Sequence, residues 1–312
     1  MLKMIIPFIL MLFALYSISF PAEETNRYRN HKGQLLRWSS SHIPCVIEID
    51  YDNSIEGFTP LLGTDKNGMN YAYSLSKSIV TNMSLSLLSV ITFIIIAISS
   101  AIFIGYDTQH RRMKKSTNRN GHSSRWNRNN IGVIMRYIVE SGIRTLHAIP
   151  QLLLLIIVVV VSYRSLENDL MRMGTIMIFI GILSTPKLIF LIVDRINIME
   201  GDDFINAARA SGLPDSKIIF KHILFYDSSP VIFAQIIYVM VQAIMLETVI
   251  SFLGYGMGIA HSSIGGLIAQ YRSDLPGTVG GNMMALYPMM LLLLIALAGN
   301  TLTRSFMEMR SD

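Results

Sequence analysis

The sequence predicts an all-α integral membrane protein with about six transmembrane helices. Three observations carry that expectation. Apolar residues make up 51% of the 312 positions and charged residues only 15%, with a mean hydropathy of +0.45, a balance found in membrane proteins rather than soluble domains. The apolar residues gather into runs near the length of a membrane span. Between two of those runs lies a polar island, residues 203–224, that reads as helix, turn and helix.

The bulk numbers also exclude function classes. The net charge of +5 is spread between the apolar runs, as positive flanks to membrane helices are, so lipid is an expected partner and nucleic acid is not. A single cysteine, Cys45, rules out an internal disulfide or a cysteine-cluster metal site. Gly63 to Gly68 is followed by Met69 and Asn70 rather than Lys-Ser/Thr, so it is not a phosphate-binding loop, and neither His-Glu-x-x-His nor Gly-x-Ser-x-Gly occurs. No catalytic residue, metal site or chain-bound cofactor is expected, and the chain is read as a non-enzyme.

Taken in order, residues 1–20 form the first expected span. Their apolar run, Met4 to Phe20, follows Lys3, and the Phe20-Pro21-Ala22 end lacks the small-residue pair of a signal-peptide cleavage site, which favours an uncleaved helix. Residues 21–80 read as an external loop. Residues 81–304 form the core, with a second span at 85–104. A basic, Asn- and Ser-rich insertion at 107–133 has no apolar period and reads as flexible. Residues 131–149 have helical spacing and lead through Pro150 into a third span at 152–161. A fourth span, 174–193, contains Pro186 and Lys187. A lysine there either snorkels to the cytoplasmic surface or lines a pathway, and the sequence leaves both open. A fifth span, 231–252, carries Glu247, an intramembrane carboxyl that reads either as a structural hydrogen-bonding group or as a substrate contact. A glycine-rich external segment, 265–281, precedes the sixth span at 283–298, and residues 305–312 form a cytoplasmic tail.

The polar island divides in two. Acidic Asp202 and Asp203 suit a helix N-terminus ahead of residues 204–210. Gly212 and Pro214 break that helix, and Ser216 is placed to cap a second one through Ile218, Ile219 and Ile223.

Residues 203–224 resemble the signature loop of bacterial ABC-importer permeases, Glu-Ala-Ala, three residues, Gly: here Asn206, Ala207, Ala208 and Gly212. Within that group the chain resembles the C-type permeases of the dipeptide/oligopeptide/nickel family, whose loop closes His-Ile-Leu-Pro where this chain has His222-Ile223-Leu224-Phe225. Two further motifs agree. Leu62-Gly63-Thr64-Asp65-Lys66-Asn67-Gly68 resembles the family's Leu-Gly-Thr-Asp-x-x-Gly, although Met69-Asn70 replace the Arg-Asp that follows. Glu247, Ser251, Phe252, Leu253, Gly254 and Gly256 match Glu-x-x-x-Ser-Phe-Leu-Gly-x-Gly. Asn206 in place of the eponymous glutamate and Phe225 in place of proline are departures.

The resemblance implies a type I ABC importer permease architecture in a bacterial inner membrane. It makes residues 200–225 the coupling loop, with Asp203, Phe204, Asn206, Ala207, Ala208, Arg209, Gly212, Lys217 and His222 meeting an ATPase. It implies a B-type permease partner, two ATPase subunits that hold ATP and Mg, an extracytoplasmic solute-binding protein and a short-peptide substrate. Nickel or another small solute is the alternative cargo within the family. With the loop inside, the cytoplasmic segments hold 16 Lys and Arg against nine in the external ones, while acidic residues divide ten and ten. That is the positive-inside bias, and it places both termini in the cytoplasm. A stand-alone secondary transporter would need more intramembrane ionisable groups and inverted repeats. A membrane scaffold would leave the Gly212 loop and the Ser251–Gly256 motif without a purpose.

Overall fold

The computed structural model describes residues 62, 71–117, 131–199, 203–213, 217–257, 263–272 and 283–308, and every regular element among them is helical. The expected first span, the segment 21–60 and Gly63, Thr64, Asp65 and Gly68 lie outside the described residues.

Helix α1 runs Tyr71–Thr117. It starts well before position 85, inside what the sequence reads as the external loop. The reason is a run of buried serines that obscures the apolar pattern: Ser76 and Ser78 donate to the carbonyls of Tyr73 and Leu75, at 2.8 and 2.6 Å. A hydroxyl that returns to its own helix can be buried with little cost. At its other end α1 continues to Thr117, across the first part of the insertion expected to be flexible. Gln, Arg, Lys and Met are good helix formers there, and solvation of a charged stretch does not by itself end a helix.

Helices α2 (Ile131–Ala148) and α3 (Gln151–Ser165) are bent by 95° about Pro150. Proline lacks the N–H needed to continue α2 and disfavours helical geometry in Ile149. At 15 residues α3 is about 22 Å long, too short to cross alone. Helix α4 (Asp169–Met199) holds Pro186 in its interior. The carbonyl that Pro186 cannot reach, that of Ile182, accepts instead from the Thr185 hydroxyl at 2.7 Å. Helix α5 is Asp203–Ala210, α6 is Ser229–Ile250, α7 is Ile264–Gln270 and α8 is Leu286–Glu308. Among the described residues, four helices are long and apolar enough to span a membrane, and five spans result if the bent α2–α3 pair is one.

The chain divides into two compact units. The first comprises residues 1–87, 162–175 and 240–302. Its core gathers Leu75 and Ile79 of α1, Ile244 of α6, Ile264 and Leu267 of α7 and Ile295 of α8 around Tyr71. Tyr71 is wholly buried, donates to the Met284 carbonyl at 2.6 Å and packs edge-on against Tyr271 and Tyr287. The second unit comprises residues 88–161, 176–239 and 303–312. There α1 and α4 approach closely: Ser89 donates across to the Met177 carbonyl at 2.6 Å. A Cβ on Gly181 would sit 2.5 Å from the Ser89 carbonyl oxygen. Small residues permit this kind of close backbone approach between membrane helices.

Gly181→Ala is therefore expected to separate α1 from α4 and cost about 1–3 kcal/mol, as overpacking does. Gly142→Ala, where a Cβ meets nothing within 4 Å, is the matched control. Thermal unfolding in detergent should show a lowered midpoint for the first variant only.

Candidate functional site

The polar island forms the helix and sharp turn its residues predict. In α5, Ile205 is wholly buried and anchors the helix, while Ala207 and Ala210 are exposed and Ala208 is half-buried. The helix ends on Gly212 at φ +84°, with the Leu213 N–H bonded back to the Ala208 carbonyl at 3.2 Å. This six-to-one bond across a left-handed residue is the Schellman termination. The Ser211 hydroxyl donates to the same carbonyl at 2.8 Å. A Cβ on Gly212 would meet nothing within 4 Å, so the requirement for glycine is conformational and not steric crowding. Asp203, Phe204, Asn206 and Arg209 lie on α5, but their side chains fall outside the described set, as does Ser216.

The second helix differs from expectation. Ile218–Asp227 is π-helical, and the Ser228 N–H that closes it bonds to the Ile223 carbonyl five residues back, at 2.8 Å. Lys217 at its start is exposed; His222 lies within it, its side chain outside the described set. Ile218, Ile219, Ile223 and Leu224 are buried, whereas Phe220, Phe225 and Tyr226 are exposed. Both ends of the intervening stretch are tied together by an ion pair that sequence reading missed. Arg195, near the end of α4, donates from Nη2 to Asp227 Oδ1 at 2.7 Å and from Nε to Oδ2. The two-point geometry is the strong form of an Arg–carboxylate contact. It makes residues 195–227 a closed loop with the α5 turn inside it.

Glu247 has no exposed surface and occupies the other cluster, within the first unit. Its Oε2 accepts from Asn82 Nδ2 at 2.8 Å and its Oε1 from the Ser251 hydroxyl at 2.6 Å. Asn82 also accepts, through Oδ1, from the Ile264 N–H at 3.1 Å, one of the unpaired donors at the start of α7. The neighbouring donor, Gly266 N–H, is capped by Ser263 Oγ at 3.0 Å. One carboxyl and one amide therefore join α1, α6 and α7.

The glycines of the motif have separate reasons. Beyond α6 the chain makes a π-turn, Ser251–Tyr255, that closes on Gly254 at φ +92°. A Cβ on Gly256 would lie 2.4 Å from Ser251 Oγ, and one on Gly265 would lie 2.6 Å from Thr248 Cα. This supports the structural reading of Glu247 and Ser251. Asn82 was the missing member. Its signal is an amide inside a span, and the question that finds it is which donor an intramembrane carboxyl would use.

Lys187 stands apart from both clusters. It is exposed on α4, its Nζ is 3.3 Å from the Tyr238 hydroxyl of α6, and it lies 4.9 Å from the centre of that ring.

Residues 124–309 match the family described as binding-protein-dependent transport system inner membrane component. The chain belongs to that family. As expected from the sequence, it is a membrane component, and among the described residues every regular element is helical, with four or five candidate spans. Among its relatives, a putative peptide transport system permease protein of Brucella suis is 36% identical over 75 residues, 24% of this chain and 25% of that one. The dipeptide transport system permease protein DppC of Alkalihalophilus pseudofirmus is 30% identical over 156 residues, 49% of this chain and 47% of that one. The matched stretches thus span half or less of these relatives. An inward-facing structure of the MetNI methionine ABC transporter covers 75% of this chain and 96% of its own at 13% identity, with a TM-score of 0.49.

Two results are expected of the permease in detergent. In a double-mutant cycle, Asn82→Ala and Glu247→Ala should be non-additive by about 0.5–3 kcal/mol, because either change already breaks the shared bond. Strict additivity would mean that the two residues do not act together. Arg195→Ala and Asp227→Ala should each lower the midpoint of thermal unfolding, and the charge swap Arg195→Asp with Asp227→Arg should recover part of the loss. A swap no better than the single variants would count against the ion pair.

Proposed function

We propose that this permease imports short peptides and that α5 is its coupling helix. The observation that carries the reading is the form of that helix: eight residues anchored by buried Ile205, presenting Ala207, Ala210, Ser211 and Gly212 outward, and ended by a Schellman turn. A surface of small side chains allows a partner's backbone and side chains to come close, and a rigid turn passes on a displacement. Asp203, Phe204, Asn206, Ala207, Ala208, Arg209, Gly212, Lys217 and His222 are the residues assigned to this contact. Closure of two ATP- and Mg-bearing ATPase subunits would press on α5 and tilt α4 and α6, alternating access to a path shared with a B-type permease. The chain itself holds no nucleotide and performs no hydrolysis in this scheme.

Peptide is the cargo for which the Brucella and Alkalihalophilus relatives are named, and nickel or another small solute is the second reading. The basic-residue bias supports a cytoplasmic coupling loop and both termini inside a bacterial cell membrane, with a solute-binding protein delivering on the opposite side. The permease core, read from the sequence as residues 81–304, starts with α1 at Tyr71, and the 107–133 insertion and the 305–312 tail are assigned to the cytoplasmic side.

The test is a crosslink in native membranes. Ser211→Cys, in a Cys45→Ser background, is expected to give an adduct with an ABC ATPase that mass spectrometry identifies and that ATP alters. Gly212→Val, which forces a β-branched residue into left-handed geometry, should weaken that adduct at unchanged permease abundance. Labelling of the Ser211 position from outside the cell, with no ATPase adduct, would overturn both the orientation and the coupling role.

A further inference from the structure

Lysine inside a span has two ways to keep its charge hydrated: to reach for the membrane surface, or to face a water-filled path. The geometry of Lys187 decides between them. The apolar stretch of α4 ends at Val193, ahead of Asp194 and Arg195, so Lys187 lies about 9 Å inside that end at 1.5 Å per residue. A helical side chain leans towards the N-terminus of its helix, here away from that end. The ammonium is instead turned sideways onto Tyr238, which is itself well inside α6. Lys187 is exposed while its flanking residues Thr185, Pro186, Leu188 and Ile189 are all buried. Among the described residues no carboxylate lies within ion-pair distance of it.

An intramembrane cation whose side-chain partner among the described residues is a phenol and its ring is poorly compensated in hydrocarbon. One hydrogen bond leaves two ammonium donors to place, and a cation–π contact does not replace hydration. Water, or an anion carried in water, satisfies both demands. We infer that Lys187 and Tyr238 line the aqueous translocation path and form a transient station for a solute carboxylate, with the ammonium as ion partner and the phenol as second donor. The inference rests on the import reading above and deepens it: for a peptide, the group recognised is its terminal carboxylate. Tyr238 holds the ammonium towards the path when no solute is present, and the contact must be weak enough to release what it receives.

Two readouts test it on the assembled transporter. In a Cys45→Ser background, Lys187→Cys should react with a membrane-impermeant methanethiosulfonate at least tenfold faster than Ile157→Cys, an exposed apolar position on α3. Equal, slow reaction would overturn the inference by placing position 187 against lipid or a partner's dry surface. In proteoliposomes with saturating binding protein, Lys187→Met should lower the maximal uptake rate of a dipeptide about tenfold and leave KM unchanged. It should not slow uptake of the same dipeptide as its C-terminal amide, and Lys187→Arg should restore the rate for the free acid. An equal loss for acid and amide would reduce Lys187 to a structural part, and no loss for either would overturn the station. If the unaltered transporter carries no dipeptide yet the cysteine labels fast, the peptide reading fails and the aqueous cation stands.

Discussion

A carboxyl group with no exposed surface, set in a membrane-spanning helix, has to find its donors inside the protein. Much of the first unit follows from how Glu247 does so. Ser251 is one helical turn further on, just past the end of α6, so its hydroxyl reaches Oε1 from the adjoining turn. Asn82 brings the second donor from α1 and spends its own oxygen on the first turn of α7. With three helices converging on one group there is no volume left for side chains at the crossing, and Gly256 and Gly265 sit where a Cβ would strike Ser251 or Thr248. Gly254 then turns the chain at φ +92°. The spacing Glu-x-x-x-Ser-x-x-Gly-x-Gly is thus one hydrogen bond, one left-handed turn and one close contact written in order.

The same demand governs the backbone wherever the helices depart from regularity. Pro186 orphans the Ile182 carbonyl, and Thr185 supplies the missing donor. The Ala208 carbonyl at the end of α5 receives both Leu213 N–H and the Ser211 hydroxyl. Buried serines along α1 return their hydroxyls to carbonyls three residues back. These are local solutions, each made by a residue next to the break it repairs. The Glu247 cluster and the Arg195–Asp227 pair are of another kind, because they join residues 165 and 32 positions apart.

That difference sets what was legible in the sequence. Gly212 marks a left-handed stop whether or not the structure is known, so α5 and its turn were read correctly from residues 204–212. The Glu247–Gly256 spacing was legible as a motif, although not its purpose, since half of its hydrogen bonding comes from Asn82. The start of α1 was misplaced because buried serines look like a loop until their hydroxyls are seen to be satisfied within the helix. The π-helical form of Ile218–Asp227 has no mark in composition: its apolar residues fit an α-helical period equally well. Pro150 announced a break but not an angle of 95°, which depends on what α2 and α3 pack against. Nothing in the sequence linked Arg195 to Asp227, because the contact joins residues 32 positions apart.

The tie between Arg195 and Asp227 also bears on how a short helix could move long ones. A loop whose ends are free absorbs a push by bending. Here the two ends are held in one bidentate contact, Ile205 is buried, and the turn at Gly212 is fixed by the bond from Leu213 to Ala208. Under the proposed coupling role, a force on the exposed alanines of α5 would meet a buried anchor at Ile205 and a fixed turn at Gly212. It would reach α4 through Arg195 and, through Asp227, the segment that leads directly into α6. The π-helical stretch is the one part of that route with a non-optimal ladder, since bonds spanning five residues are less favourable than the usual four. It is therefore the place where a change of register would be least costly, and the point at which a push on α5 would become a rotation or a shift of α6 rather than a rigid displacement of the whole loop.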